Sequence, residues 1–139
     1  AEEGRKANAA NQKEQALVEA EQLLSSVRQI NNVNVLVARS HATDVEDLRS
    51  MCDWIRDKIR SGVVVLGATF AGKPFLLAMV TQDLVELGLD AVGICKDAAG
   101  AIQGGGGGRP NLAQAGGKDP GGLDKALELA IQSLESSLL

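Results

Sequence analysis

Tyrosine is absent from this chain of 139 residues, and Trp54, Phe70 and Phe75 are its only aromatic side chains. Three rings are too few for a platform on which successive nucleic-acid bases could stack. Histidine is scarcer still, with His41 alone, and the two cysteines, Cys52 and Cys95, lack the CxxC spacing of a metal knuckle. One imidazole and two scattered thiols do not compose a closed zinc site. Two cysteines without a framework also point to a reducing, cytoplasmic setting, with both thiols serving as small buried hydrophobes. No apolar run approaches the roughly 20 residues of a membrane helix, and no charged-then-apolar leader opens the chain. An opening Ala leads us to expect a piece of a longer polypeptide. Net charge is -4, which excludes a broadly basic nucleic-acid surface and leaves room only for a local contact.

What is present is a soluble, globular composition, 45% hydrophobic and 23% charged, in a length that suits one domain or one domain with a helical appendage. From Arg5 to Ile30 there is neither proline nor glycine, and Ala10, Leu17, Ala20, Leu24 and Val27 form a heptad-like stripe interrupted by Lys13. That predicts one long amphipathic helix whose seam wants a partner, either a second copy or its own domain. Asn31-Asn32 breaks it, and Val33 to Ala38 alternates as a strand. Thr43 or Asp44 caps a second helix with Leu48, Met51, Cys52, Ile55 and Ile59 inward, which Gly62 ends. Val63 to Leu66 predicts a strand buried on both faces. A further strand from Pro74 to Thr81 follows a loop from Gly67 to Lys73. Asp90 introduces a third helix, and Asp119-Pro120 caps a last one with Leu123, Leu127, Ala130, Ile131, Leu134 and Leu138 inward. The expected fold class is mixed α/β (α+β): a long helix, then a small mixed sheet flanked by helices. The expected division is a dimerising helical segment over 1–31 and a globular unit over 32–139.

Several patterns imitate chemistry. Gly67-Ala68-Thr69-Phe70-Ala71-Gly72-Lys73 satisfies the first seven positions of a P-loop, but Pro74 supplies neither hydroxyl nor amide proton at the eighth, where magnesium would be held. Lys73 is then a turn residue or a phosphate contact from the rim. Ser40, His41 and Asp44 have triad types but enter one helix in sequence, and such groups must converge in space. Asp44 with Asp47, and Asp53 with Asp57, have the spacing of a solvated helical face.

The remaining candidate is a glycine loop. Nine of the sixteen glycines lie between Gly104 and Gly122, where Arg109 and Lys118 face the single acid Asp119. The run Gly104, Gly105, Gly106, Gly107, Gly108 leads directly into Arg109-Pro110-Asn111. Bare backbone N–H groups can converge on an anion, arginine can grip phosphate with its planar fork, and Asn111 or Gln114 can address ribose or base edges. The same glycines could instead let the chain pass close over a neighbouring element.

The string GGGGGRPNLAQAGGKDP, from Gly104 to Pro120, resembles the glycine-rich motif of the DHH-associated domain at the C-terminus of alanyl-tRNA synthetases. The likeness is strongest over residues 90 to 139 and weakest over the opening helix. It implies an appendage that contacts the outer corner, or elbow, of tRNA, with a helical part that supports a homodimer. Catalysis and editing would lie in other domains of a parent alanine–tRNA ligase, as would any ATP, magnesium or zinc; no catalytic residue or cofactor is expected here. The chemistry of those backbone and side-chain groups, with the resemblance pointing to RNA, makes Gly104 to Gly108, Arg109, Asn111, Gln114 and Lys118, with Lys73 at the rim, the expected tRNA contacts. Two other functions compete: a nucleotide-holding accessory domain of a DHH-family phosphoesterase, whose glycine motif typically carries a histidine missing here, and a purely structural dimerisation domain.

Overall fold

The computed structural model describes residues 17–30, 32–42 and 44–138. Helix α1 covers 17–24 of these, followed by β1 (Arg28–Ile30), β2 (Val33–Arg39), α2 (Val45–Ile59), β3 (Gly62–Phe70), β4 (Lys73–Val80), α3 (Gln82–Glu86), α4 (Ala91–Ala99), β5 (Gly105–Arg109), β6 (Leu112–Gly116) and α5 (Leu123–Leu138). The strands make one mixed sheet in the order β1-β2-β3-β4-β6-β5. Only β2 and β3 run parallel, because α2 carries the chain back between them. The fold class is the mixed α/β arrangement expected, with helices on both faces.

Alternation along the strands supplies two cores. Val35, Val63, Val65, Leu76, Ala78, Val80, Ala113 and Ala115 face α4 and α5. Leu36, Val64, Leu66, Ala68, Leu77 and Met79 face α1 and α2. Burying one such aliphatic side chain contributes roughly 1.5–3 kcal/mol, so a sheet covered on two sides needs no disulfide. Both cysteines are buried free thiols. Burial, with the Asp53 charge nearby, pushes the Cys52 thiol up, and burial pushes that of Cys95 up to about 11; neither has a reactive thiol's character.

Caps decide the helix starts. Asp44 accepts a hydrogen bond from the Asp47 N–H at 2.8 Å, and Asp90 one from Val92 at 2.9 Å. Asp119 accepts from Gly121 at 3.0 Å, opening a short 3-10 turn, Pro120–Gly122, that leads into α5. Thr43, the alternative cap for α2, lies outside the described residues.

Four expectations need correction. The first helix stops at 24, and Arg28–Ile30 pairs antiparallel with β2 instead of extending it. Of its stripe, Ala20, Leu24 and Val27 are turned onto the protein's own α2-side core, while Ala10 and Lys13 lie outside the described residues. Helix α2 ends at Ile59 with Arg60 at φ 64; Gly62 is the first residue of β3, where a Cβ would lie 2.4 Å from the Asn34 carbonyl oxygen of β2. The loop expected from Gly67 to Lys73 is strand up to Phe70, and Ala71 (φ 50) and Gly72 (φ 78) alone turn the hairpin. The P-loop imitation is thus strand and tight turn, with no phosphate-cradling loop or following helix. Finally, the glycine loop is not a loop. Gly105–Arg109 is strand β5, because pairing with β6 overrides glycine's weak strand preference.

Candidate functional site

Strands β5 and β6 form a hairpin turned by Pro110 and Asn111, with Gly105 opposite Gly116, Gly107 opposite Gln114 and Arg109 opposite Leu112. The turn is anchored from both sides: the Pro110 carbonyl accepts from the Ala91 N–H at 2.8 Å, and that of Asn111 from Val80 at 2.9 Å. Opposed residues share a face. Register against β4 pairs Phe75 with Gly116, Leu77 with Gln114 and Met79 with Leu112, so this face is the one that α2 covers farther along the sheet. Helix α2 packs on β3 and β4, and beyond it Gly105, Arg109, Gln114 and Gly116 are exposed. The opposite face, bearing Ala113 and Ala115, lies against α4.

The five glycines therefore divide by parity. A Cβ on Gly104 would lie 2.0 Å from the Gly116 carbonyl oxygen, one on Gly106 2.4 Å from that of Gln114, and one on Gly108 2.6 Å from that of Leu112. These three are glycine because backbone occupies the space. Around Gly105 and Gly107 nothing lies within 4 Å of an added Cβ, and neither has a positive φ. As the edge strand, β5 pairs on one side only, and among the described residues no other element donates to or accepts from Gly105 through Gly108. An antiparallel edge leaves alternate N–H groups outward. Part of this ribbon's backbone is consequently available to a ligand.

The other expected contacts gather at the two ends of the ribbon, roughly 13 Å apart for a five-residue strand. Lys73 and Lys118 meet Gly104, Gly105 and the Phe75 ring around a hollow of about 500 Å³ at one end. Lys118 is fixed there by its N–H, which donates to the Ile102 carbonyl at 2.9 Å. Arg109 and Asn111 line a larger groove of about 920 Å³ at the other end. Gln114 stands exposed between them. The expected residues thus form a linear track, not a single cradle.

Across the larger groove lie residues that no sequence motif singles out. Arg49 and Arg56 from α2 and Arg60 just past its end line it, alongside Asp53 and Asp57, whose spacing predicts a solvated face. Arg56 engages both carboxylates, Asp53 at 3.7 Å and Asp57 at 3.3 Å. The signal was available in the spacing of Arg49, Asp53 and Arg56, which stacks them on one helical face.

A second overlooked cluster joins α1 to the sheet. Glu19 accepts from the Ser40 hydroxyl at 2.7 Å and the His41 N–H at 2.9 Å, and its other oxygen lies 2.7 Å from His41 Nδ1. Burial alone would raise the Glu19 carboxyl, but the hydrogen bonds from Ser40 and His41 outweigh it and hold the group below its ordinary value. Ser40 and His41 each turn to Glu19 instead of to one another, and Asp44 is spent on its cap, so no triad is assembled. Among the described residues no three His, Cys, Asp or Glu side chains are grouped as metal ligands, and no helix is long and apolar enough to cross a membrane.

Residues 32–136 match the DHHA1 domain family. The chain is 44% identical over 131 residues to the alanine–tRNA ligase of Pelotomaculum thermopropionicum, a match covering 94% of this chain and 15% of that protein. It is 48% identical over 116 residues to the ligase of Acetivibrio thermocellus, covering 84% of this chain and 13% of that one. The chain therefore spans only about a seventh of the length of these relatives. Its fold is like that of the C-Ala domain from Aquifex aeolicus alanyl-tRNA synthetase, with a TM-score of 0.69 over 78% of this chain and 97% of that one, at 24% identity.

Proposed function

The chain belongs to the DHHA1 domain family, and from that membership we propose that it is the tRNA-contacting C-terminal appendage of an alanine–tRNA ligase. In this reading the ATP, magnesium and zinc chemistry of the parent lies in other domains, and this chain holds the outer corner of the tRNA while they act. Self-association through α1 stays part of the proposal on two outward apolar residues, Leu17 and Val18, since the rest of its described stripe is used internally.

The observation that carries the reading is the open face of the glycine ribbon. Gly105 and Gly107 have room for a side chain and none is present, unpaired backbone lies on the edge, and cations stand at both ends. A polyanion laid along that face would meet a cation, roughly 13 Å of bare strand, and a cation again. Phosphate contacts of this kind fix position and register without reading sequence. A purely structural role accounts for Gly104, Gly106 and Gly108 but gives no reason for the other two.

The test is Arg109→Ala and Lys118→Ala, each measured by filter binding of tRNA at low salt. Both side chains are exposed and neither pairs with a carboxylate among the described residues, so the fold should persist. Weaker binding is expected from each; unaltered affinity in both would remove the ribbon from the interface.

A further inference from the structure

The groove between α2 and the tip of the β5–β6 hairpin holds four guanidiniums, from Arg49, Arg56, Arg60 and Arg109, against the carboxylates of Asp53, Asp57 and Asp83. Arg56 pairs with both Asp53 and Asp57, and Asp83 accepts from the Ser61 hydroxyl and keeps its charge, so four guanidiniums face three carboxylates and the groove carries a net excess of one positive charge. Arg49, Arg60 and Arg109 remain with no carboxylate in ion-pairing range among the described residues. They come from different elements and converge on one space. The excess positive charge, carried by guanidiniums that hold no ion pair of their own, favours the entry of an anion.

Arg60 adds an independent sign. It is a non-glycine residue at φ 64 and ψ -45, at a helix end where glycine is the usual choice. Such backbone is strained for a side-chain-bearing residue and persists where surroundings or function require it. Here the residue retained in that conformation is the one that continues the α2 arginine row beyond its last turn. The floor is different in kind, made of Met79, almost wholly buried, and the half-buried Leu112. Charged walls over an apolar floor suit a ligand with charge along its flanks and less polar atoms beneath. The groove's volume of about 920 Å³ lies at the upper end of small-ligand sites, about 300–1,000 Å³. It suits a short stretch of strand and not a whole duplex.

We infer that this groove is a second wall of the RNA contact, in which Arg49 on α2, Arg60 just past its C-terminus and Arg109 on the hairpin tip clasp successive backbone phosphates of RNA. The inference rests on the reading of the glycine ribbon as an RNA contact, and extends that contact off the ribbon and onto a helix. The track then runs from Lys73 and Lys118, across Gly105 and Gly107, into the arginine groove.

The experiment is fluorescence anisotropy of labelled tRNA with the whole chain over a salt series, for the unmodified protein, Arg49→Ala, Arg60→Ala, Arg109→Ala and, as control, Lys125→Ala. Lys125 lies on α5 and pairs with Glu128 at 3.7 Å, away from the groove. Each of the first three is expected to make the slope of log affinity against log salt shallower by about 0.7 to 0.9, the share of one phosphate; the control should leave it unchanged. Should Arg109→Ala bind more weakly while Arg49→Ala and Arg60→Ala match the unmodified chain, the α2 wall is overturned and the ribbon reading stands. Should all three be silent, the arginine groove is overturned, and the ribbon reading falls with it only where Lys118→Ala is silent too. Saturable binding of AMP, stronger than that of tRNA and lost in Arg49→Ala and Arg60→Ala, would overturn the RNA assignment in favour of a free-nucleotide pocket.

Discussion

Gly106 and Gly107 are adjacent and chemically identical, yet the fold treats them as opposites. A methyl group on Gly106 would press into the Gln114 carbonyl and the Ala115 side chain, whereas one on Gly107 would meet nothing within 4 Å. Gly106→Ala is therefore expected to destabilise by about 1–3 kcal/mol, as overpacking does. Gly107→Ala should be neutral or stabilising by about 0.4–1 kcal/mol, because it restricts the unfolded chain without straining the folded one. Urea unfolding of the two variants decides this, and equal destabilisation would show that both glycines are merely spacers. If the open glycines exist for a ligand, the bulkier Gly107→Val should keep the fold and lose tRNA affinity. The sequence singles the stretch out as a candidate, because five glycines beside an arginine bring no side chains to pack. The alternation was not legible. It exists only once β5 pairs with β6, and nothing local in GGGGG distinguishes one residue from the next.

Among the elements, those with strong local punctuation were read correctly. Helices α2 and α4 begin at Asp44 and Asp90, and the last helix follows the Asp119 turn, because an aspartate side chain satisfies orphan amides wherever it stands. Elements defined by distant partners were not: β1 lies where the periodicity predicts the end of a helix, and the short α3 and the β5–β6 hairpin lie where no such elements are expected. Helix α1 belongs to both groups. Its period was visible, but its docking depends on the Glu19 carboxylate reaching the backbone and side chains of residues 40–41. Since Glu19 titrates below its ordinary value of 4.5 when folded, its charge contributes stability that is fully present above about pH 4.5 and is lost as pH falls through the lower, folded value. Glu19→Gln should accordingly lower the urea midpoint at pH 7, and the gap to the unmodified chain should close toward pH 3. A gap of constant size across that range would mean that α1 is held by packing of Ala20 and its neighbours and not by the carboxylate clamp.

For the molecule as a whole, the net charge of -4 sets a limit that a local site must respect. Along the proposed track Lys73 and Lys118 stand at one end and Arg49, Arg60 and Arg109 at the other, none of them paired with a carboxylate among the described residues. At about 0.7 to 0.9 per neutralised phosphate, five contacts bound the salt slope of tRNA binding at about 3.5 to 4.5 in magnitude. Binding by this chain alone should then be weak and readily abolished by salt. That is tolerable in a module spanning about a seventh of its relatives' length, because in the proposed role tethering to the rest of a ligase would raise effective concentration, which can increase overall affinity by about 10² to 10⁴ without a new contact. The sequence conveyed the sign of this limit through composition; the number of contacts required the fold, since α2 and the glycine ribbon are separated by more than forty residues and meet only across the sheet. A salt titration of the isolated chain checks it. A slope well above 4.5 would mean that RNA covers cations outside the track, and a slope near zero would mean that charge does not hold the RNA at all; a slope between about 2 and 4.5 is what a track of paired ends and bare strand should give.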